Sequence, residues 1–285
     1  TIISHAKEPK LSFITNSIVS TIDTNFIITD IAQIEDYTYV VSSIYEQELY
    51  VIDLRNNELR PLISLSEGMS KIHYKESLLY VVNSLKNVVH IIDTRINEHI
   101  KDIPVDQYPI DIVVSEERGY VLNSKSHSIT VFDINNNNVI HSFPVVERPA
   151  GMIISEGAII IGGHGAVGHL NDEIYVYDVK SGELMQTLMV GLMPIAFSKN
   201  NSSEHLFVLC HGSNEVVKLD AKTFEEESRL SVGNNPNYIT EFKDNLYITS
   251  LDGNELTVVK QENFKELKNI EVNFGPMVVI PGEEL

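Results

Sequence analysis

Short apolar runs of four to eight residues recur along the whole chain, rich in Val, Ile, Leu, Tyr and Phe and bounded by Asn, Gly, Asp or Ser. Runs of this kind, separated by turn-forming residues, predict β-strands joined by tight connections. Apolar positions at helical spacing do not persist beyond one or two turns. The runs come in fours. Residues 236–242, 245–250, 255–260 and 267–272 show one set: a Pro-led strand a, a Tyr-led strand b, a strand c that ends in Asp in most sets, and a strand d.

The sets repeat. YVLNSKSHSITVFD at 120–133 lies over YVVNSLKNVVHIID at 80–93 without gaps, an offset of 40 residues. Heads of b strands fall at Phe13, Tyr39, Tyr80, Tyr120, Ile160, Phe207 and Tyr247. The a strands fall at 31–35, 71–74, 110–114, 151–154, 195–198, 237–241 and 277–280. The two series are out of phase. The first set has b, c and d at 11–16, 17–23 and 25–29 but no a strand, and the last a strand stands alone. Pairing the two ends hides sheet edges that would otherwise expose unpaired N–H and C=O groups. The expectation is therefore an all-β, seven-bladed β-propeller of four-stranded antiparallel blades, one domain over 1–285. Its last blade is shared between 11–30 and 276–280, with 277–280 beside 11–16. Division of the chain by seven gives about 41 residues per blade, near the roughly 40–45 of known propeller repeats.

Tyr80-Val81-Val82-Asn83 and Tyr120-Val121-Leu122-Asn123, with Ile92-Asp93-Thr94, Ile103-Pro104-Val105 and Pro109 downstream, resemble the YVTN β-propeller repeat family. The resemblance implies a soluble, often exported or cell-surface protein with a binding or scaffolding role, and it brings no catalytic residues. Ser42, Cys210 and Ser250 depart from the Asn of the motif, and its Val-Gly pair survives at Val190-Gly191 and Val232-Gly233. Seven-bladed lactonases and streptogramin lyases look similar in architecture, but the lyase repeat is rich in Trp and this chain has none. Asp53, Asp93, Asp133, Asp178 and Asp220 close c strands just before Asn- or Gly-rich turns, a position suited to accepting backbone N–H groups. The Tyr at the head of strand b is predicted to pack between neighbouring blades.

Composition narrows the partners. With 21 Lys and Arg against 40 Asp and Glu the net charge is −19, and no basic run exceeds two residues. Nucleic acid and anionic membranes would be repelled. No apolar run approaches the roughly 18 residues of a membrane span. Cys210 is the sole cysteine, so no disulfide forms within the chain. The motifs of phosphate-binding loops, serine hydrolases and zinc proteases are missing. Asn200-Asn201-Ser202-Ser203 contains glycosylation sequons that chance explains in an Asn-rich chain. A signal peptide or lipid anchor would precede Thr1.

By analogy with other propellers, a site is expected where d–a and b–c loops converge at one channel mouth. The d–a loops offer Met69, Tyr108, Arg148, Met193, Asn235 and Phe274. One b–c connection, GHGAVGHLNDE at 163–173, is longer than its neighbours by several residues and carries His164, His169, Asp172 and Glu173. Aligning Ile160 with Phe207 sets His164 over His211. His164, His169 and His211 could ligate zinc, copper or iron, with Cys210 as a soft addition, although strand alternation turns Cys210 and His211 to opposite faces. Against the metal stand a polar loop with hydrogen-bonded histidines, the plainer reading, and histidines that touch an organic ligand or act as acid–base groups. Arg148 either binds a carboxylate or phosphate or pairs with Glu147 or another acid. The remaining histidines, His5, His73, His90, His99, His127, His141 and His205, read as structural or solvated.

These features point to a non-enzymatic ligand- or protein-binding scaffold of the cell envelope, monomeric, with no cofactor expected beyond a transition metal. The alternative is a lyase or hydrolase, lactonase-like or streptogramin-lyase-like, with a His-based site at the channel mouth.

Overall fold

A computed structural model describes residues 1–56, 58–115, 117–166, 168–200 and 203–282; Asn201 and Ser202 of the sequon lie outside them. The described residues form 28 β-strands and no helix, arranged as seven four-stranded antiparallel sheets. The fold class is a seven-bladed β-propeller. The strands group into two compact units, Thr1–Ile22 with Val146–Leu285, and Asp23–Val145.

The Asp23–Val145 unit holds three blades. They are β4 (Asp30–Glu35) to β5 (Thr38–Ser42), β6 (Glu48–Asp53) and β7 (Glu58–Ser64); β8 (Met69–Lys75) to β9 (Leu78–Asn83), β10 (Val88–Asp93) and β11 (Glu98–Pro104); and β12 (Pro109–Val114) to β13 (Arg118–Asn123), β14 (Ser128–Asp133) and β15 (Asn138–Pro144). The cores lie between blades. Val40, Leu49 and Val51 pack against Leu79, Val81 and Ile92. Tyr80 and Val82 pack against Val121 and Phe132. The Tyr80 and Phe132 rings sit 6.0 Å apart, so the Tyr of strand b does bridge adjacent blades.

The other unit holds four. Three follow the same plan: β16 (Pro149–Ser155), β17 (Ala158–Gly163), β18 (Glu173–Asp178) and β19 (Leu184–Met189); β20 (Pro194–Ser198), β21 (His205–Cys210), β22 (Glu215–Asp220) and β23 (Glu226–Ser231); and β24 (Pro236–Phe242), β25 (Asn245–Ser250), β26 (Glu255–Lys260) and β27 (Lys265–Glu271). The fourth joins the two chain ends in the order β28-β1-β2-β3, where β1 is Ile2–His5, β2 Lys10–Thr15, β3 Ile18–Asp23 and β28 Pro276–Ile280.

Joining of the ends was expected, but the strand identities shift by one. β28 pairs with β1, Ile3 opposite Val279, and not with the segment containing Phe13. The strands of this blade therefore run through residues 2–23, and 25–29 forms no strand. Phe13 and Asp23 mimic the head of strand b and the end of strand c, which draws the pattern one strand too far along the chain.

The aspartates at the ends of strand c work as the pattern requires. Oδ1 of Asp53, Asp93, Asp133, Asp178 and Asp220 accepts the backbone N–H of Arg55, Arg95, Asn135, Lys180 and Lys222 at 2.8–3.0 Å. Hydrogen bonds from the Arg95 side chain and backbone hold the Asp93 carboxyl down to about 2.

A second titratable group sits inside a blade. Burial, with Lys71 and Lys75 adding their charge, lowers His73 on β8 to about 4. The unfolded chain takes up this proton near the ordinary value of 6.5, so stability is lost as pH falls through 6.5 toward 4 and is unaffected above. The His73→Gln protein should lose about 2–3 kcal/mol less than the wild type between pH 7.5 and 4, measured by urea unfolding at each pH.

Candidate functional site

One blade departs from the repeat. Its β17–β18 connection uses nine residues, 164–172, where β21–β22 uses four, 211–214. The long connection is folded back on a buried asparagine. Asn171 Nδ2 donates to Gly163 O at 3.3 Å and Glu173 O at 2.7 Å, and its Oδ1 accepts from the Tyr175 hydroxyl at 3.1 Å. The Asn171 backbone N–H donates to His164 O, and Asn171 O accepts from Met193 N at 2.6 Å. Gly165 has φ +88, and a Cβ there would stand 2.4 Å from His169 O. The turn closes because no side chain occupies that space.

The folded connection walls a cavity of about 500 Å³ with Arg148 and Met193. His164, Ala166, Gly168, His169 and Leu170 supply the rest of its lining. Arg148 and Met193 occupy the same place in successive blades, with φ +51 and +54 just before the proline that opens strand a. Asn235 and Tyr108 share that conformation. A left-handed residue followed by a proline with fixed φ turns the chain sharply from strand d into strand a.

His164 and His211 do come together, as the alignment of their blades predicts, with ring centroids 6.0 Å apart and planes at 81°. The His211 Nδ1–H donates to Pro236 O at 3.2 Å. Burial lowers the pKa of His164, and the charges of His211 and Arg148 lower it further, so the neutral ring is favoured near pH 7.

The other predicted positions are distributed differently. His169 lines the same cavity but is exposed, and it does not complete a three-ligand set with His164 and His211. Among the described residues, the one group of three His, Cys, Asp or Glu with ligand atoms within 4.8 Å of one another is His90, His99 and Asp102. Cys210 is buried in the apolar core with Ile160, Val208 and Val217, and burial pushes its thiol up to about 12. It is no metal ligand for this cavity. Asn235 gives its side-chain N–H to Asp252 at 2.7 Å.

Met69 is fully buried in its own unit, packed with Leu49 and Leu79, so it lines no mouth. It stands where five other blades have the strand-opening proline. The left-handed position before it belongs to Gly68, as it belongs to Gly275 and not Phe274 before β28. Phe274 is exposed. Tyr108, also exposed, carries the Lys125 ammonium 4.4 Å above its ring. Asn171 was missed because it reads as one more turn residue. Its signal was the Asn-x-Glu-x-Tyr spacing that returns the loop to β18.

No protein-family model and no curated protein matches the chain. Solved structures resemble it in fold. A Kuenenia stuttgartiensis hydrazine synthase chain is 16% identical with a TM-score of 0.70, over 84% of each chain. Citrobacter koseri AztD is 11% identical with a TM-score of 0.66, over 97% of this chain and 95% of that one. A chain of the mitotic checkpoint complex is 13% identical with a TM-score of 0.74, over 95% and 84%. At such identities the likeness defines the class, a seven-bladed β-propeller, and nothing finer.

Replacing Asn171 leaves several backbone groups without partners. The Asn171→Ala protein should lose about 1–3 kcal/mol in urea unfolding. Amides 164–170 should exchange faster with deuterium, while those of β21 and β22 keep their protection.

Proposed function

We propose that this chain is a non-enzymatic binding propeller whose cavity beside Arg148 takes a small carboxylate- or phosphate-bearing ligand, free or displayed on a partner protein. The observation that carries this reading is the lining itself. An exposed guanidinium and the His164 and His169 rings stand over apolar walls from Ala166, Leu170 and Met193. A guanidinium binds such anions through two parallel hydrogen bonds, and the apolar side chains beside it can contact the rest of the ligand. Against the overall charge of −19, a local cation also selects for an anionic group that would be repelled elsewhere. Among the described lining residues there is no hydroxyl, thiol or carboxylate, so no nucleophile–base pair faces the cavity.

The YVTN-like repeat supports placement outside the cytoplasm, in the cell envelope or at its surface, as a monomeric scaffold. A second reading rests on His164. A neutral imidazole beside a second histidine suits a general base, as a lyase or hydrolase would need.

The two readings separate in one experiment. Calorimetric titration of succinate, citrate and glycerol phosphate should find at least one binder. Arg148→Ala should weaken it roughly ten- to a hundredfold, the worth of a charged bidentate contact. His164→Ala should weaken it far less. No binding by any of the three, or equal binding by Arg148→Ala, would overturn the proposal. Turnover of a lactone or ester probe that disappears in His164→Ala would favour the enzyme.

A further inference from the structure

We infer that His90, His99 and Asp102 form a binding site for a divalent transition cation, on the outer edge of the β8–β11 blade and separate from the Arg148 cavity. β10 and β11 form a hairpin in which His90 lies directly opposite Asp102. His99 is three residues from Asp102, a spacing that would place them on opposite faces of a regular strand. The register shifts between Ile91 and Ile92, so Ile91 faces Lys101 and Ile92 faces His99. The extra residue, Ile100, is a β-bulge, and it returns His99 to the face of Asp102.

The bulge is a property of the repeat. In the β20–β23 blade the same three places hold Val217, Arg229 and Glu226, and there the arginine and glutamate ion-pair at 2.6 Å across the bulge. The β12–β15 blade has Thr130, Ser142 and Val139, and the β24–β27 blade has Thr257, Asn269 and Glu266. A shared framework gathers three side chains, and the β8–β11 blade fills it with two imidazoles and a carboxylate.

Asp102 Oδ1 accepts from His90 Nδ1 at 2.6 Å and from His99 Nε2 at 2.7 Å. A tetrahedral ion with bonds near 2.0–2.1 Å needs ligand atoms roughly 3.3 Å apart. The Asp102 side chain is 45% exposed, so a small swing of its carboxylate opens that space. The site faces a cleft of about 460 Å³, also lined by Ser66 and Lys86, which leaves a fourth position for water. Two imidazole nitrogens and one carboxylate select zinc, nickel, cobalt or copper over calcium and magnesium.

Ligation through Nδ1 moves the His90 proton to Nε2, which now faces Asn83 Nδ2 at 3.3 Å. Asn83 cannot turn to accept it, because its Oδ1 holds the Leu85 and Lys86 N–H groups. Losing that contact weakens the binding and keeps the ion exchangeable.

The test uses protein purified without a polyhistidine tag and stripped with chelator. Zinc alone is titrated in competition with a chromophoric chelator. The wild type should bind one equivalent, and excess calcium or magnesium should not displace it. His99→Ala and Asp102→Asn, both at half-exposed positions, should each weaken binding at least tenfold while melting within about 2 °C of the wild type. His164→Ala should bind as the wild type does. Less than a tenth of an equivalent bound, unchanged affinity in both hairpin variants, loss of zinc in His164→Ala, or displacement by calcium would each overturn the assignment.

Discussion

The ladder between β1 and β28 is the constraint on which the four-blade unit depends. It joins residues at opposite ends of the chain, with Ile2 opposite Ile280 and Ile3 opposite Val279. Val278 N–H donates to Ser4 Oγ at 3.2 Å across a separation of 274 residues. Ile3 and Val279 are fully buried, and they pack with Tyr247, Leu256 and Val258 of the adjacent blade. No local segment can supply this contact. Its closure entropy must be met by burial gained when the last strand arrives. Without β28, the inner edge of β1 would present open backbone groups, and the apolar side chains facing Tyr247 would lose their cover.

The repeat divides its residues between frame and chemistry. Aspartates at the ends of strand c, left-handed residues before strand a, and the bulge in strand d recur in most blades because each solves the same backbone problem there. Both proposed sites come from what individual blades add. The long 164–172 connection closes a cavity beside Arg148, and the β10–β11 hairpin exchanges the Arg229–Glu226 pair of a sister blade for two histidines and an aspartate. In both places the scaffold fixes where side chains meet, and the substituted residues set the chemistry found there.

Much of the frame was legible in the sequence because its signals are local. Strand length, turn residues and the 40-residue offset all follow from neighbours along the chain. The pairing of His164 with His211 was also legible, since equivalent positions in adjacent blades face the same side. The N-terminal blade was misread because Ile2–His5 is short and lacks Tyr, while Phe13 and Asp23 imitate repeat landmarks. Met69 was misplaced because its blade has no proline to mark the start of strand a, and the left-handed position fell one residue earlier, on Gly68. His90 and His99 read as structural or solvated, and Asp102 went unremarked, because a cross-strand register and a bulge unite the three, and neither is written in a linear pattern.

Hydrogen–deuterium exchange of the two terminal strands tests the central claim most directly. If the ends share one sheet, amides in 2–5 and 276–280 should be protected within about tenfold of those in β25 and β26, because a single cooperative unit opens together. Exchange of either terminal strand at the rate of an unstructured chain, while β25 and β26 stay protected, would contradict the account.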